Sequence, residues 1–347
     1  MKKLVSLFLS LTLSALMLAG CSTHVDSNEP SPTPSQSSSS EVVGESNYPV
    51  TIENNGQTIT YEKAPERVVV LSYTTAEIMT ALGLEDKVVA LAPCMNRIDE
   101  VLEEYRDKIS EMPVFEESGM TNGVPNLETV LSVEPDFVYG SFYSFFAANC
   151  GESKDYLANG IGIYASENTY MKSPGLNELY TEIENIGKIF DVREKAEELV
   201  AELKEREQAV VDKVEGLNPV SVFVFDYDNG DGTYNSTGGA NFLDSLITAA
   251  GGTDIFGDLE SSYATVSPEE ILSRNPDCVL TISYYTADDG QHKIDSMKSS
   301  DDFANLSAVT NDSFLSLGGL SAGASAGLQS LDALEAIAEF LHPDAFA

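Results

Sequence analysis

The sequence predicts an α/β protein of two similar lobes with mostly parallel sheets, joined by one long backbone helix. Three observations carry this. Short apolar runs alternate with helical patterns, which points to strands layered under helices. The pattern E-x-x-L-S-x-x-P-D-x-V stands at residues 128–138 and again at 269–279, an offset of 141 residues. Between the copies, residues 192–215 place Ala196, Leu199, Val200, Leu203, Val210, Val211 and Val214 at a helical period, free of Gly and Pro.

The elements follow in chain order. Residues 4–19 are an apolar run of 16 behind Lys2 and Lys3. A spanning helix needs about 20 apolar residues, so 1–20 reads as a secretory signal. It closes on Leu18-Ala19-Gly20-Cys21, which resembles the bacterial lipobox, with Cys21 as the lipidated residue. Residues 21–47 are a disordered tether, since Pro30, Pro32, Pro34 and the serines 37–40 cannot bury a core.

The N-terminal lobe is expected over 48–190. It opens with a hairpin turning at Asn55-Gly56. A strand at 67–71, a helix at 76–82 stopped by Gly83, and a strand at 87–91 come next. The first repeat then gives a short helix, ended by Pro135, and a further strand. The inter-lobe helix is expected over 191–216. Its central 24 residues span about 36 Å, and as the only connector it would allow small hinge motions. Glu202 and Arg206 add an i,i+4 pair. The C-terminal lobe, 217–347, repeats the scheme with a strand at 220–225, a helix at 241–250 and the second repeat. Each lobe is Rossmann-like in this alternation.

Charge narrows the function. There are 19 basic and 56 acidic side chains, a net charge of −37, near −39 once 1–20 is lost. Such a surface repels nucleic acid and anionic lipid headgroups. Hydrophobic residues make up 42%, enough for a core. Of three His, His24 is in the tether, His342 is near the end, and His292 falls in a loop, so no clustered-His metal site is expected. Asp226, Asp228 and Asp231 suggest a calcium loop, but Thr237 stands where the bidentate Glu is needed, and 229–232 reads as a turn. Cys94 and Cys150 lie in loops of one lobe and are the candidate disulfide, with two free thiols as the alternative. Cys278 reads as a buried strand residue.

In open α/β sheets, ligands sit beyond the carboxyl ends of the strands. Reading each strand to its end gives Tyr73, Thr74, Met95, Arg97, Phe142, Tyr143 and Tyr170 in the first lobe. The second lobe gives Tyr227, Tyr263, Tyr284 and Tyr285. Tyr and Phe offer flat walls with a polar tip, suited to a large ring or chelate. Basic residues are few, with Arg97 first and Lys172 second, which favours a neutral or weakly charged ligand over a triply negative one.

The lipobox, the Ser/Pro tether, Ala64-Pro65-Glu66-Arg67-Val68-Val69, Ala81-Leu82-Gly83-Leu84, both Pro-Asp strand starts, the long helix and the closing Leu341-His342-Pro343-Asp344-Ala345-Phe346 form one ordered set. Together they resemble the substrate-binding lipoproteins of ABC importers, in the subgroup for iron–siderophore complexes, haem or cobalamin. The likeness runs from about Thr51 to Phe346. It implies a ligand held in a cleft between lobes and delivered to an ABC permease dimer with its ATPase. It also implies one surface Glu per lobe docking onto permease Arg residues. By position in the repeat these map to Glu128 and Glu269. Both fall in first helical turns, behind the N-caps Asn126 and Ser267, where acids also complement the helix dipole. Ser267 with Glu270 forms a capping box.

The resemblance further implies a monomer outside the cytoplasm. It would be anchored to the bacterial cell membrane only through its N-terminal lipid, with no cofactor, no bound metal of its own and no enzymatic activity. The alternative is a cell-surface α/β hydrolytic enzyme without a recognisable catalytic motif. No nucleophile elbow, zinc helix or phosphate loop is visible, and His is scarce as a general base.

Overall fold

The computed structural model describes residues 47–94, 97–121, 123–323 and 326–347. The signal, Cys21, the tether up to residue 46, and Met95 lie outside the described residues. The hairpin pairs Val50–Asn54 antiparallel with Gln57–Tyr61. Asn55 and Gly56 turn it with φ of 48° and 70°, the left-handed pair that Asn-Gly adopts at low cost. The Asn54 amide then ties the hairpin to the lobe, donating to the Ala165 carbonyl at 2.9 Å and accepting from its N–H at 2.8 Å.

Two four-stranded parallel sheets follow. The first holds β1 (Val68–Val70), β2 (Val88–Leu91), β3 (Phe137–Ser141) and β4 (Gly162–Ser166), in spatial order β2-β1-β3-β4. The second holds β5 (Val220–Phe225), β6 (Gly252–Asp254), β7 (Cys278–Ser283) and β8 (Phe314–Gly318), in order β6-β5-β7-β8. The same order occurs twice, so the repeated sequence motif reflects a repeated architecture. In each copy a short helix, Leu127–Leu131 or Pro268–Arg274, leads into the third strand of its sheet, β3 or β7.

The repeated Asp has one job in both places. The Asp136 carboxylate accepts from the N–H groups of Glu66 and Arg67, at 2.9 and 2.8 Å. Asp277 accepts from the Ser221 N–H at 3.1 Å and its hydroxyl at 2.6 Å. Each carboxylate pins the start of the neighbouring central strand, β1 or β5, while the preceding Pro ends the helix.

Strand side chains alternate between two buried faces, which is why these strands read as continuous apolar runs. One face is common to both sheets. Val68, Val70, Phe137 and Tyr139 of the first sheet share a core with Val222, Val224, Leu280 and Ile282 of the second. Ala196, Val200, Leu203 and Val210 of the connecting helix belong to the same core. The opposite faces close separately, around Val69, Val138 and Ile163 in one lobe and Phe223, Phe225 and Val279 in the other.

The connecting helix is Arg193–Val214, 22 residues and about 33 Å long. It packs against Leu176–Ile189 of the first lobe and Ser330–Leu341 of the second. Arg206 on it bonds Asp332 at 2.6 Å and Glu335 at 2.8 Å. It is not the sole link that the sequence suggested. The chain after β8 crosses back to the first lobe, where the Leu320 N–H donates to Glu100 Oε2 at 2.8 Å. Gly327 lies so close to Thr74 that an added Cβ would meet its methyl at 2.6 Å. Small residues make this second crossing sterically possible, and their lack of pattern hid it in the sequence.

Glu77 is fully buried beside this crossing, on helix Tyr73–Ala81. Its Oε1 accepts from the Leu102 N–H at 2.7 Å, and the Gln329 side chain lies next to it. Burial, only partly offset by these two partners, raises the carboxyl from 4.5 to about 8. The folded chain therefore keeps a proton that the unfolded chain releases. The stabilisation that goes with this proton is complete below about 4.5 and is lost as pH rises through about 8. Glu77→Gln should flatten the fall in stability between pH 6 and pH 9. At pH 9 the variant should exceed the parent by roughly 1–3 kcal/mol in urea unfolding; equal pH slopes for the two proteins would contradict the assignment.

Candidate ligand-binding site

A cavity of about 670 Å³ opens at the carboxyl ends of β5 and β7. That lies within the range of roughly 300–1,000 Å³ usual for small-ligand sites. Four of the tyrosines read from strand ends line it: Tyr227, Tyr263, Tyr284 and Tyr285. Tyr284 and Tyr285 follow β7 directly. Tyr227 and Tyr263 come from a three-stranded antiparallel sheet, Tyr227–Asp228, Tyr234–Thr237 and Tyr263–Val266, which builds one wall.

The floor is polar and organised. Asp226, buried at the end of β5, accepts the Tyr284 hydroxyl at 2.8 Å and the Asn235 amide at 3.0 Å. Burial first, and then the Asp226 charge, push the Tyr284 hydroxyl far above its usual value. Helix Asp289–Ser299 forms the remaining side, presenting Asp289, His292, Lys293 and Ser296. Asp289 accepts the Tyr284 N–H at 3.1 Å and pairs with Lys293 at 3.2 Å. His292 was expected in a loop but sits in the first turns of this helix. The four residues fall at i, i+3, i+4 and i+7, a periodicity present in the sequence but masked by the turn-like Asp288-Asp289-Gly290.

All the lining residues belong to the second lobe, so the cavity is built by that lobe and not by facing walls of two lobes. Burial first, and then the Asp226 charge, raise the Tyr263 hydroxyl to about 12. The aromatic residues expected from the first lobe gather apart from this lining. Phe142, Tyr143, Phe146 and Tyr170 form one aromatic group, with Phe142 4.8 Å from Phe146 and 6.1 Å from Tyr170 between ring centres. Tyr143 and Phe146 are exposed. The Tyr170 hydroxyl is committed to the hairpin, accepting from the Asn55 N–H and the Asn54 amide at 3.1 Å each.

Other strand-end residues are placed differently. Tyr73 and Thr74 do not line the cavity. Both are buried, Tyr73 in the shared core and Thr74 beneath Gly327, because the second crossing covers the start of their helix. Arg97 is held by Asp99 and Glu100, each at 2.8 Å. Cys94 and Cys150 are unbridged thiols, and burial pushes Cys94 up to about 12.

Glu128 and Glu269 occupy the second position of equivalent helices, and both are exposed. Asn126 Oδ1 caps the first helix by accepting the Thr129 N–H at 2.9 Å. In the second, Glu270 reaches back to the Ser267 N–H at 2.8 Å. That division leaves Glu269 free, and no described residue bonds either Glu269 or Glu128. Among the described residues, no group of three His, Cys, Asp or Glu is placed to hold a metal, and no helix is long and apolar enough to cross a membrane.

The model of the periplasmic binding protein family matches residues 68–319. An ABC transporter substrate-binding lipoprotein of Bacillus subtilis is 26% identical, covering 100% of this chain and 99% of its own. A cobalamin-binding protein of Halobacterium salinarum is 29% identical over 67% of this chain and 58% of its own. Among solved structures, an ABC-type Fe3+-hydroxamate transport protein of Saccharomonospora viridis superposes with a TM-score of 0.71. It is 25% identical and covers 84% of this chain and 99% of its own.

The floor of the cavity gives a direct test. Tyr284→Phe removes one of the two side-chain donors to buried Asp226 and should cost about 1–3 kcal/mol in urea unfolding. A loss below about 0.3 kcal/mol would show that the bond does not organise the floor.

Proposed function

The chain belongs to the periplasmic binding protein family, and from that premise we propose that it captures a metal chelate in the tyrosine-lined cavity and hands it to an ABC permease. It is a substrate-binding protein, and its family relatives serve transport rather than catalysis, so binding is the function proposed here.

The observation that carries the ligand reading is the cavity itself. Four tyrosines surround a buried polar floor at the carboxyl edge of the second sheet. Flat rings with polar tips suit a large, mostly apolar chelate. The one cavity-lining ammonium, Lys293, is already paired, and Arg97 is held by two acids. That disfavours a triply negative catecholate complex and favours a neutral or weakly charged one. The ligand class proposed is a hydroxamate-type iron complex or a corrinoid. The cobalamin-binding and hydroxamate-transport names among the similar proteins support the same two classes.

Delivery is assigned to Glu128 and Glu269. They are exposed, unpaired among the described residues and equivalent under the internal repeat. The same proposal puts the protein outside the cytoplasm, as a monomer held by lipid on Cys21, and the lipoprotein name of the Bacillus relative supports the anchor.

Two measurements test this reading. A thermal-shift screen of ferric hydroxamates and corrinoids should raise Tm for at least one class, because a ligand that binds only the folded state stabilises it; no shift at saturating concentrations would refute capture. Glu128→Ala with Glu269→Ala should leave ligand affinity within about twofold of the parent. Uptake in cells should be abolished, as expected when the acidic partner of each of two interfacial charge pairs is lost. Normal uptake by the double variant would remove the docking assignment.

A further inference from the structure

We infer that the cavity selects a chelate carrying a positively charged arm, and that Asp228 and Asp226 receive that charge. This rests on the proposed reading of the cavity as the ligand site and adds the sign of the ligand's charge.

The lining holds three carboxylates, Asp226, Asp228 and Asp289, and a single ammonium, Lys293. Lys293 is consumed locally, donating to the Ile282 carbonyl at 2.5 Å and pairing with Asp289 at 3.2 Å. These two charges cancel each other. Asp226 and Asp228 remain with no cationic side chain of the lining beside them. Asp226 is fixed by Tyr284 and Asn235, so it cannot swing out to bulk water. Asp228 stands at the mouth, exposed, with Oδ1 accepting from the Gly230 N–H at 2.8 Å.

Arg97 of the first lobe, the basic residue the strand ends offered, is not in the lining and is clamped by Asp99 and Glu100. The walls add to the effect. Tyr227, Tyr263 and Tyr285 are exposed at the cavity, and aromatic faces attract a cation within about 6 Å. A concave site of one sign also concentrates ligands of the other sign. A purely structural role for Asp226 would explain its bonds to Tyr284 and Asn235. The Asp228–Gly230 bond likewise shapes a turn, and it leaves the Asp228 charge without a cationic partner in the lining.

The test uses ligand pairs differing by one positive charge, on the complete mature chain. One pair is a ferric hydroxamate with a free terminal amine and its N-acetylated form. The other is a corrinoid with an aminoalkyl arm and its N-acetylated form. Titration calorimetry at low salt should give at least tenfold tighter binding for the amine member of whichever pair binds. The ratio should shrink in 0.5 M salt. In Asp228→Asn it should fall to about threefold or less, and Asp226→Asn should narrow it in the same direction. Equal affinities, or tighter binding of the acetylated member, would overturn the inference and leave chelate capture standing. A tenfold ratio that persists in both variants would also overturn it, because the selectivity would then arise elsewhere. Binding of neither pair would defeat the proposed function itself.

Discussion

The structure depends on one shared apolar core. A fully buried Val, Leu, Ile or Phe side chain contributes roughly 1.5–3 kcal/mol, and this core takes such residues from both sheets and from the helix between them. The connecting helix is therefore packed into both lobes along its length, not merely tethered at its ends. The crossing after β8 adds a second fastening through Glu100 and Thr74. Two parallel sheets coupled in this way share one core, and the cavity opens at the carboxyl edge of the second of them.

Much of the architecture was legible in the sequence because its signals are local. The Pro-Asp pair shows the point: Pro135 and Pro276 announce the helix end, and the strand follows at once. What the pair could not reveal was the partner of each Asp, since Arg67 and Ser221 are distant in sequence. The Asn55-Gly56 turn and the Ser267–Glu270 capping box were legible for the same local reason. The second crossing was not, because residues 319–330 are mostly small and carry no period. Buried Glu77 was hidden too, since a carboxylate on a helix normally marks the wet face and only tertiary packing reverses that.

The candidate cavity was legible only in part. Reading strands to their ends named the four tyrosines that line it, because backbone topology alone places them. The same rule named Tyr73 and Thr74, which the returning chain covers. It also missed the helix wall of Asp289, His292, Lys293 and Ser296, which lies beyond a strand end rather than on it. The chain's overall acidity gave no hint of which carboxylates line the cavity, yet the pairing of Lys293 with Asp289 gives the lining its chemical character. Pockets of this kind pair apolar and aromatic walls with a few placed polar groups, and this lining has both.

The most direct test of the central claim is a crystal structure of the mature protein grown with the chelate that gives the largest thermal shift. The account predicts ligand density against Tyr227, Tyr263, Tyr284 and Tyr285. Ligand seated elsewhere, with this cavity holding only solvent, would contradict it.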